Sequence, residues 1–435
     1  AGRGVDRPRR RGLAIGAKLP GVTRLSLVRP SIARPALARP ALALALLVGV
    51  AVGCSSDDTA DSPPSSSSAP STSAVPSSTA VALDDSLRLN EIQVVGTHNS
   101  FHQEPDPAEL DLLAAMDAEQ AAQRTYSHET IGGQLADQQV RQIELDVFVD
   151  GSGGLYASPS LRRQAGLPDL VDSVPEMAEP GTKVLHEQDV DYHSVCPTLV
   201  GCLTEVAEWS DANPDHVPVA IFIQFKDGPL IFPVADQAVP EKWVPENMDR
   251  LEDEIRSVFE PDDLLTPDDV RGSSATLEEA VTTDGWPTLG ETRGKVLFAM
   301  VNGEPYRSLY LEGHEGLAGR LLFTNAEPGQ PDAAVLNVDD PLAEPGRITD
   351  LVRQGYLVRT RADTPNVHAR TNDTTRRDAA FASGAHWIGT DYPVQGMAAG
   401  DFGPATDYVA ELPDARSARC NPVNAPPSCQ DETVE

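Results

Sequence analysis

Two histidines in this sequence lie directly after short apolar runs and could exchange protons with a substrate. His98 follows residues 92–96 in the stretch IQVVGTHNSFH, and His186 follows Val184 and Leu185 in KVLHEQD. The ordinary pKa of imidazole lies near neutral pH, so two imidazoles facing one cavity can act as a general base and a general acid. A lone histidine at a strand end is more often structural, so the case depends on what accompanies the pair.

Oxygen-bearing side chains accompany both histidines. Glu144 and Asp146 are two residues apart in QIELDVFV, so both point to the same face if this stretch is a strand. With the side-chain oxygen of Asn99 they form a ligand set suited to a hard divalent cation. The simpler interpretation of Glu144 is a buried ion pair with an arginine such as Arg141 or Arg359.

Charged side chains also lie at the ends of later apolar runs. Arg359 and Arg361 lie in YLVRTRA, Lys226 follows PVAIFIQF, and Asp391 lies near the end of HWIGTDY. A divalent cation beside two arginines can hold a phosphate and stabilise charge that develops on its oxygens. The parts together indicate cleavage of a phosphodiester, and these four residues are the candidate substrate contacts.

Eight apolar runs, most of them continuous, predict the strands that would position these residues. They span residues 92–98, 142–149, 183–189, 218–225, 295–301, 320–326, 356–362 and 386–392. Continuous apolar runs are typical of strands buried on both faces, as in parallel sheets. Helical patterns at 108–123, 199–211, 245–259, 348–354 and 374–383 lie between them and indicate alternating strands and helices.

Eight strands over roughly 300 residues favour an α/β fold, a distorted TIM-type (β/α)₈ barrel that forms a single catalytic domain over residues 85–400. The carboxyl ends of barrel strands meet at one face, which would gather the polar residues described above. An open doubly wound sheet is the alternative. No Gly-rich phosphate loop follows any predicted strand, so a nucleotide-binding version of that sheet loses support.

The charge of the chain limits its partners. The formal net charge of the whole chain is −32. Residues 1–53 alone have a net charge of +9, so the chain after them is strongly acidic. Such a surface repels the phosphates of nucleic acids. We therefore expect no nucleic-acid partner, and an anionic substrate would need a local cluster of cations.

The N-terminal residues have the composition of an export segment. Residues 1–53 combine a basic start with the apolar stretch ALALALLVGVAVG, which is shorter than a spanning helix needs. AVGC resembles a bacterial lipobox, in which Cys54 would be lipidated; an ordinary signal peptide or an uncleaved anchor is the alternative. Residues 54–84 are rich in Ser and Pro and predict a disordered tether. We expect an exported protein, either a cell-surface lipoprotein or secreted.

Four further cysteines fit an exported protein, in which disulfides can form. The simplest of the three possible pairings joins Cys196 to Cys202 and Cys420 to Cys429. The second pair lies in residues 401–435, which we expect to be a C-terminal extension along the surface of the domain.

Several motifs together resemble one family. GTHNSFH, RQIELDVF with GGLYA, and KVLHEQDVDYHSVCPT are similar to the Ca²⁺-dependent branch of the phosphatidylinositol-specific phospholipase C family. The later stretches VPVAIFIQFKD, RGKVLFAMVN, LVRTRAD and GTDYP are similar to it as well. The resemblance implies a distorted TIM barrel in which the inositol 2-hydroxyl attacks phosphorus, diacylglycerol leaves and a cyclic inositol phosphate forms.

The resemblance also implies roles for individual residues. His98 resembles the histidine near the 2-hydroxyl, which acts as a base or stabilises an oxyanion. His186 resembles the general acid for the departing glycerol oxygen. Asn99, Glu144 and Asp146 correspond to Ca²⁺ ligands. Gln224 stands where the family often has a Glu ligand; its neutral oxygen would leave the calcium site with less charge. Arg359 and Arg361 would hold the phosphate or the inositol.

Other parts of the resemblance concern the loop after the first strand and the surroundings of the protein. Gly96 is expected to let the chain turn at the mouth of the barrel, and Ser100 and His102 to be hydrogen-bond partners of the site. The partners would be a phosphoinositide lipid and the membrane surface, and we expect a monomer.

Two other functions remain possible from the sequence. A glycerophosphodiester phosphodiesterase would use the same kind of site, but in that family an Arg usually follows the first His, and here Asn99 does. A non-catalytic tethered protein that binds lipid headgroups is the second alternative, to which the neutral Gln224 gives some weight.

Overall fold

Ten strands are present in the computed structural model, which describes residues 84–230, 232, 234–344, 346–364 and 366–434. The strands are β1 (Ile92–Thr97), β2 (Gln142–Phe148), β3 (Lys183–Val184), β4 (Val219–Phe225), β5 (Val296–Met300), β6 (Leu322–Phe323), β7 (Val335–Asn337), β8 (Leu357–Arg361), β9 (Trp387–Thr390) and β10 (Ala418–Cys420). Cys54 and the predicted export segment and tether, apart from residue 84, lie outside the described residues. Among the described residues, no helix is both long and apolar enough to cross a membrane.

Eight of the strands form a nearly closed parallel barrel. Their order is β6-β5-β4-β2-β1-β9-β8-β7, and a parallel bridge between Asn325 and Val335 connects the two ends. The strands are buried along almost their whole length, as the continuous apolar runs predict. The predicted TIM-type (β/α)₈ fold is confirmed.

Helices connect the strands on the outside of the barrel. They are α1 (Pro107–Met116), α2 (Ala118–Ala122), α3 (Ile131–Ala136), α4 (Ser160–Gln164), α5 (Leu199–Ala212), α6 (Pro245–Arg256), α7 (Pro267–Arg271), α8 (Leu277–Glu279), α9 (Leu289–Thr292), α10 (Tyr306–Leu311), α11 (Arg347–Arg353), α12 (Val367–Thr371), α13 (Thr375–Ala382) and α14 (Met397–Phe402). In α6 the buried Met248, Leu251 and Ile255 recur every three or four residues, which is the apolar stripe of a helix packed on a core.

The predicted third strand is wrong, and one barrel strand was missed. Only Lys183 and Val184 of the predicted segment 183–189 are extended, and they pair antiparallel with Phe148 and Val147. The reason is that β4 occupies one edge of β2 along six residues, whereas β1 pairs with β2 only at Gly96 and Gln142. The end of β2 is therefore free for a short antiparallel partner. The missed barrel strand is β7, whose three residues the sequence pattern did not distinguish from a loop.

Gly96 provides space for a neighbouring side chain. Its backbone is not in the left-handed region, so the expected turn at this residue is wrong. A Cβ on Gly96 would overlap the side chain of Gln142, whose Nε2 donates to the carbonyl of Thr97 at 3.1 Å. The chain turns at Asn99 instead, which has φ of +45°.

The C-terminal residues add a strand to the sheet. β10 pairs antiparallel with the first residues of β1, from Ile92↔Cys420 to Val94↔Ala418. Both expected disulfides are present, Cys196–Cys202 and Cys420–Cys429. The first of them joins the loop that carries His186 to the start of α5.

Candidate active site

A cavity of about 310 Å³ lies at the carboxyl ends of the barrel strands. Its wall includes eight of the ten residues that the sequence predicts for catalysis, metal binding and substrate binding: His98, Asn99, Glu144, His186, Gln224, Lys226, Arg359 and Arg361. The other two, Asp146 and Asp391, are fully buried behind this wall. The sequence therefore predicted a set of residues that the fold brings together.

His98 lies directly after β1, where its backbone N–H donates to the carbonyl of Thr390 at 3.0 Å. Its Nδ1 lies 2.9 Å from Asp391 Oδ1, so Nδ1 carries the proton and Nε2 is the acceptor. Burial lowers the pKa of His98 well below its ordinary value, and the guanidinium groups of Arg361 and Arg359 lower it further. A neutral imidazole with an unprotonated Nε2 is the form that a general base needs.

Asp391, predicted as a substrate contact, is fully buried, does not line the cavity and pairs with His98. Its backbone N–H donates to Asp363 Oδ1 at 3.3 Å, and Thr390 Oγ1 donates to Asp363 Oδ2 at 2.5 Å. Burial raises the pKa of Asp363 to about 6 and also raises that of Asp391. Two carboxyl groups thus lie behind the first histidine.

His186 reaches the cavity from a tight loop after β3. The loop is closed by backbone hydrogen bonds between Glu187 and Asp191, at 2.8 and 3.0 Å. Nδ1 of His186 lies 2.7 Å from Asp191 Oδ2, so it donates to this carboxylate and leaves Nε2 for the cavity. His186 therefore lines the cavity, although only the first two residues of the strand predicted to carry it are extended.

Asp191 binds three cationic or potentially cationic groups and was not predicted. Besides His186, it contacts His102 Nε2 at 3.0 Å and Arg124 Nε at 2.9 Å. Burial alone would raise the pKa of Asp191, but His102 and His186 hold it well below its usual range. A carboxylate that stays ionised can stabilise the protonated form of His186.

His102 forms a second layer behind this carboxylate, as expected. Its Nδ1 faces the carbonyl of Tyr126 at 3.1 Å and its Nε2 faces Asp191, so oxygen atoms on two sides hold the ring in place. The ring stacks on Tyr126 with centroids 4.2 Å apart. Ser100 is also a partner, since its Oγ accepts from the backbone N–H of Glu144 at 2.8 Å.

Two residues of the predicted ligand set have a buried oxygen without a hydrogen-bond donor. Among the described residues, Asn99 Oδ1 and Asp146 Oδ1 have no hydrogen-bond partner. Gln224 lies beside Asp146 in the register of β2 and β4 and reaches the cavity wall. Burial raises the pKa of Glu144 to about 7, although Arg359 acts in the opposite direction. Unpaired buried acceptors are costly unless something else binds them.

Each of the two carboxylates has a cation of the protein on one oxygen. Lys226 Nζ lies 3.0 Å from Asp146 Oδ2, and Arg359 contacts both Glu144 and Asp339. Arg361 makes fewer close contacts: one terminal nitrogen lies 3.8 Å from Asp391 Oδ2, and neither this nitrogen nor Nε has a hydrogen-bond acceptor within the described part of the chain. An unsatisfied guanidinium on the wall of a cavity is suited to an anionic group such as a phosphate.

Comparison with known proteins decides the family. The family model described as Ca²⁺-dependent phosphoinositide phospholipase C matches residues 87–422, which is more than three quarters of the chain. The chain belongs to this family. It is therefore a phosphoric diester hydrolase of the phosphoinositide phospholipase C type, and Ca²⁺ is the cofactor of its family.

Solved structures similar to this phospholipase C are only distantly related in sequence. A calcium-dependent phosphoinositol-specific phospholipase C from Pseudomonas sp. is 18% identical, with 78% of this chain and 96% of that chain covered and a TM-score of 0.45. The Ca²⁺-dependent enzyme from Streptomyces antibioticus is 19% identical over 71% and 96% of the two chains, with a TM-score of 0.44. The comparison with curated proteins found no match.

The predicted ligands of this phospholipase C have the type of atom that calcium prefers. All four predicted ligands offer oxygen, and Asn99 and Asp146 each hold a buried oxygen that accepts no hydrogen bond from the described residues. The set has only two carboxylates. Consistently, no group of three or more His, Cys, Asp and Glu side chains within the described ranges could hold a metal ion.

Sequence reasoning missed several residues of the cavity. They are Gln120, Gln123, Arg124, Tyr126, Asp191 and Asp339. Asp191 had a usable signal, because it is an acidic residue five positions after a candidate catalytic histidine. Asp339 had no such signal, because it follows β7, a strand that the pattern of apolar residues did not predict.

Proposed function

We propose that this phospholipase C cleaves phosphatidylinositol through proton transfers by two histidines. His98 Nε2 takes the proton of the inositol 2-hydroxyl, whose oxygen attacks phosphorus. Asp391, on Nδ1 at 2.9 Å, orients the ring and stabilises the imidazolium that forms. The P–O bond to the glycerol oxygen breaks, and the product is a 1,2-cyclic inositol phosphate.

His186 supplies the proton that the glycerol oxygen needs to leave. Its Nδ1 donates to Asp191 at 2.7 Å, which fixes the ring and directs Nε2 to the cavity. Diacylglycerol then departs as a neutral alcohol. The two histidines thus exchange roles if water later opens the cyclic product.

The phosphate would be held by the arginines of β8. Arg361 has unsatisfied N–H groups among its described neighbours, and Arg359 lies beside it on the same strand. Asn99, Glu144, Asp146 and Gln224 would hold Ca²⁺. When bound, the ion offsets negative charge on the phosphate oxygens as the reaction proceeds.

One observation supports this mechanism above the others. Two histidines line the same cavity, and each has its Nδ1 on a fully buried carboxylate from a different segment. A structural histidine does not need an open nitrogen at a cavity. The pairing fixes both rings and leaves Nε2 of each free for the substrate, as the proposed base and acid need.

The division of labour can be tested with leaving groups of different basicity. His186→Ala should lose turnover on phosphatidylinositol but retain much of it on an inositol phosphate ester of p-nitrophenol, since a phenolate leaves without a proton. His98→Ala should lose both activities. Equal losses for the two substrates in His186→Ala would contradict the assignment of the acid.

The surroundings of the enzyme are part of the same proposal. We infer that the chain is exported, that Cys54 anchors it to a membrane by a lipid, and that it acts there as a monomer on phosphoinositide lipid. The basic and apolar N-terminal sequence and the two disulfides support export. Labelling of cells with a fatty-acid analogue, compared between wild type and Cys54→Ala, tests the anchor.

A further inference from the structure

The two carboxylates proposed to bind calcium each have a cation of the protein itself on one oxygen. Lys226 Nζ lies 3.0 Å from Asp146 Oδ2, and Arg359 contacts Glu144 Oε2. These ion pairs neutralise the charge that would attract a divalent ion. Binding of Ca²⁺ must therefore compete with cations that are already in place.

The two cations differ in their freedom to leave. The side chain of Arg359 is 1% exposed and is held from a second side by Asp339, so its position is fixed. The side chain of Lys226 is 24% exposed and lies on the cavity wall, and Asp146 is the carboxylate it contacts. A flexible lysine that borders open space can withdraw its ammonium group, whereas a buried and doubly paired arginine cannot.

The neighbouring ligand does not compensate for this competition. Gln224 lies opposite Asp146 in the register of β2 and β4, and its side chain is neutral. The oxygen set therefore has two formal negative charges, and two protein cations oppose them. Asp146 Oδ1 remains without a hydrogen-bond partner among the described residues and is available to an ion.

We infer that Lys226 is an internal counter-ion that competes with Ca²⁺ for Asp146 and thereby sets the calcium affinity of the site. The inference rests on the proposed ligand set. It changes the role of Lys226 from the predicted substrate contact to a residue that determines metal affinity. The calcium affinity of the site then depends on this lysine as well as on the neutral Gln224.

Calorimetric titration of CaCl₂ into the full chain tests the inference without an activity assay. Lys226→Met should bind Ca²⁺ more tightly by about tenfold or more, because one positive charge next to the ligand is removed. Lys226→Arg keeps the charge and should bind like the wild type. Lys242→Met is the matched control, since Lys242 pairs with Asp227 at 3.3 Å but its side chain is 66% exposed; its affinity should not change.

A second measurement covers the case in which Lys226→Met is unstable without calcium. Removal of Lys226 leaves Asp146 Oδ2 buried and unpaired, so CaCl₂ should raise the melting temperature of Lys226→Met and of Lys226→Gln more than that of the wild type. If the wild type binds calcium and neither Lys226→Met nor Lys226→Gln binds it more tightly, this inference is overturned and the ligand assignment stands. Absence of calcium binding in every protein would overturn the ligand assignment together with it.

Discussion

A histidine lies at each end of the barrel, buried at the amino end and partly buried at the carboxyl end, and the two differ in their partners. His386 precedes β9 at the amino end, where Nδ1 accepts from the backbone N–H of Val358 at 3.0 Å and Nε2 donates to the carbonyl of Asn90 at 2.8 Å. His98 follows β1 at the carboxyl end, where Nδ1 donates to Asp391 and Nε2 faces the cavity. Burial lowers the pKa of both rings.

The difference shows which buried polar groups serve the fold and which serve the chemistry. Backbone groups satisfy both nitrogens of His386, so its burial costs little and its ring joins β8, β9 and the start of β1. At the other end, carboxylates replace backbone partners and some atoms have none within the described chain, such as Asn99 Oδ1 and Arg361 Nε. Low pKa and burial alone do not separate the two histidines, whereas their hydrogen-bond partners do.

The largest predicted effect separates activity from stability at the two ends. His98→Ala should lower kcat by about 10³-fold with little change in melting temperature, because it removes a proton acceptor at a cavity. His386→Gln should keep kcat near the wild-type value and lower the free energy of unfolding. An assay of lipid cleavage gives kcat for both variants, and thermal unfolding gives their stability. The reverse pattern would break the distinction between the two ends.

The second prediction concerns pH and stability at the amino end. Burial lowers the pKa of His386 to about 4, so the unfolded chain binds a proton before the folded one does as pH falls. The contribution of His386 to the free energy of unfolding is complete above about pH 6.5 and is lost as the pH falls towards 4. This loss amounts to about 3 kcal/mol. Urea unfolding at several pH values should show a shallower acid loss in His386→Gln than in wild type.

A control separates this residue from other groups that titrate in the same range. His314→Gln changes a histidine whose Nδ1 contacts the carbonyl of Ala318 in an exposed hydrogen bond. Its unfolding free energy should follow the wild-type pH profile. If His386→Gln also followed that profile, the description of His386 as a neutral structural histidine would be wrong.

The third prediction concerns the contact between β1 and β2 below the cavity. Gly96→Ala would force a methyl group into the side chain of Gln142 and should cost about 1–3 kcal/mol of unfolding free energy. The double variant with Gln142→Ala should recover part of this loss. Gly400→Ala is the control, since a Cβ there has no atom within 4 Å among the described residues, and it should not destabilise. A neutral Gly96→Ala would show that β1 adjusts freely.

The smallest predicted effect is on calcium binding at the carboxyl end. Glu144→Gln should weaken calcium binding by about tenfold, because the oxygen set loses one of its two carboxylates. Glu187→Gln alters another carboxylate of the cavity, one paired with Arg124 at 2.8 Å, and should bind calcium as the wild type does. Calorimetry of both variants distinguishes a ligand from a nearby charge. Unchanged binding in Glu144→Gln would remove it from the ligand set.

The barrel could be predicted from the sequence because its strands are continuous apolar runs. The count of eight was right through two opposite errors: segment 183–189 is not a barrel strand, and Val335–Asn337 is one. A three-residue strand has too few side chains to show a period. The antiparallel pairing of β3 depends on the free end of β2, which no local pattern reveals.

The sequence predicted which residues form the site better than it predicted which of them contact each other. The motifs predicted that His98 and His186 would share one site, and both residues line the same cavity. Asp391 was placed on the substrate although it lies behind His98, because a sequence does not show the direction of a side chain at a strand end. The role of Asp191 depends on contacts with His102 and Arg124, which come from a distant loop.

Phosphorus NMR of phosphatidylinositol vesicles incubated with the full chain tests the central claim most directly. The reaction is followed with Ca²⁺ and, in a parallel sample, with EDTA. The proposed mechanism predicts a cyclic inositol phosphodiester signal that appears only with Ca²⁺. A cyclic signal that persists in EDTA would contradict the calcium site at Asn99, Glu144, Asp146 and Gln224, and absence of a cyclic product in both samples would contradict attack by the 2-hydroxyl.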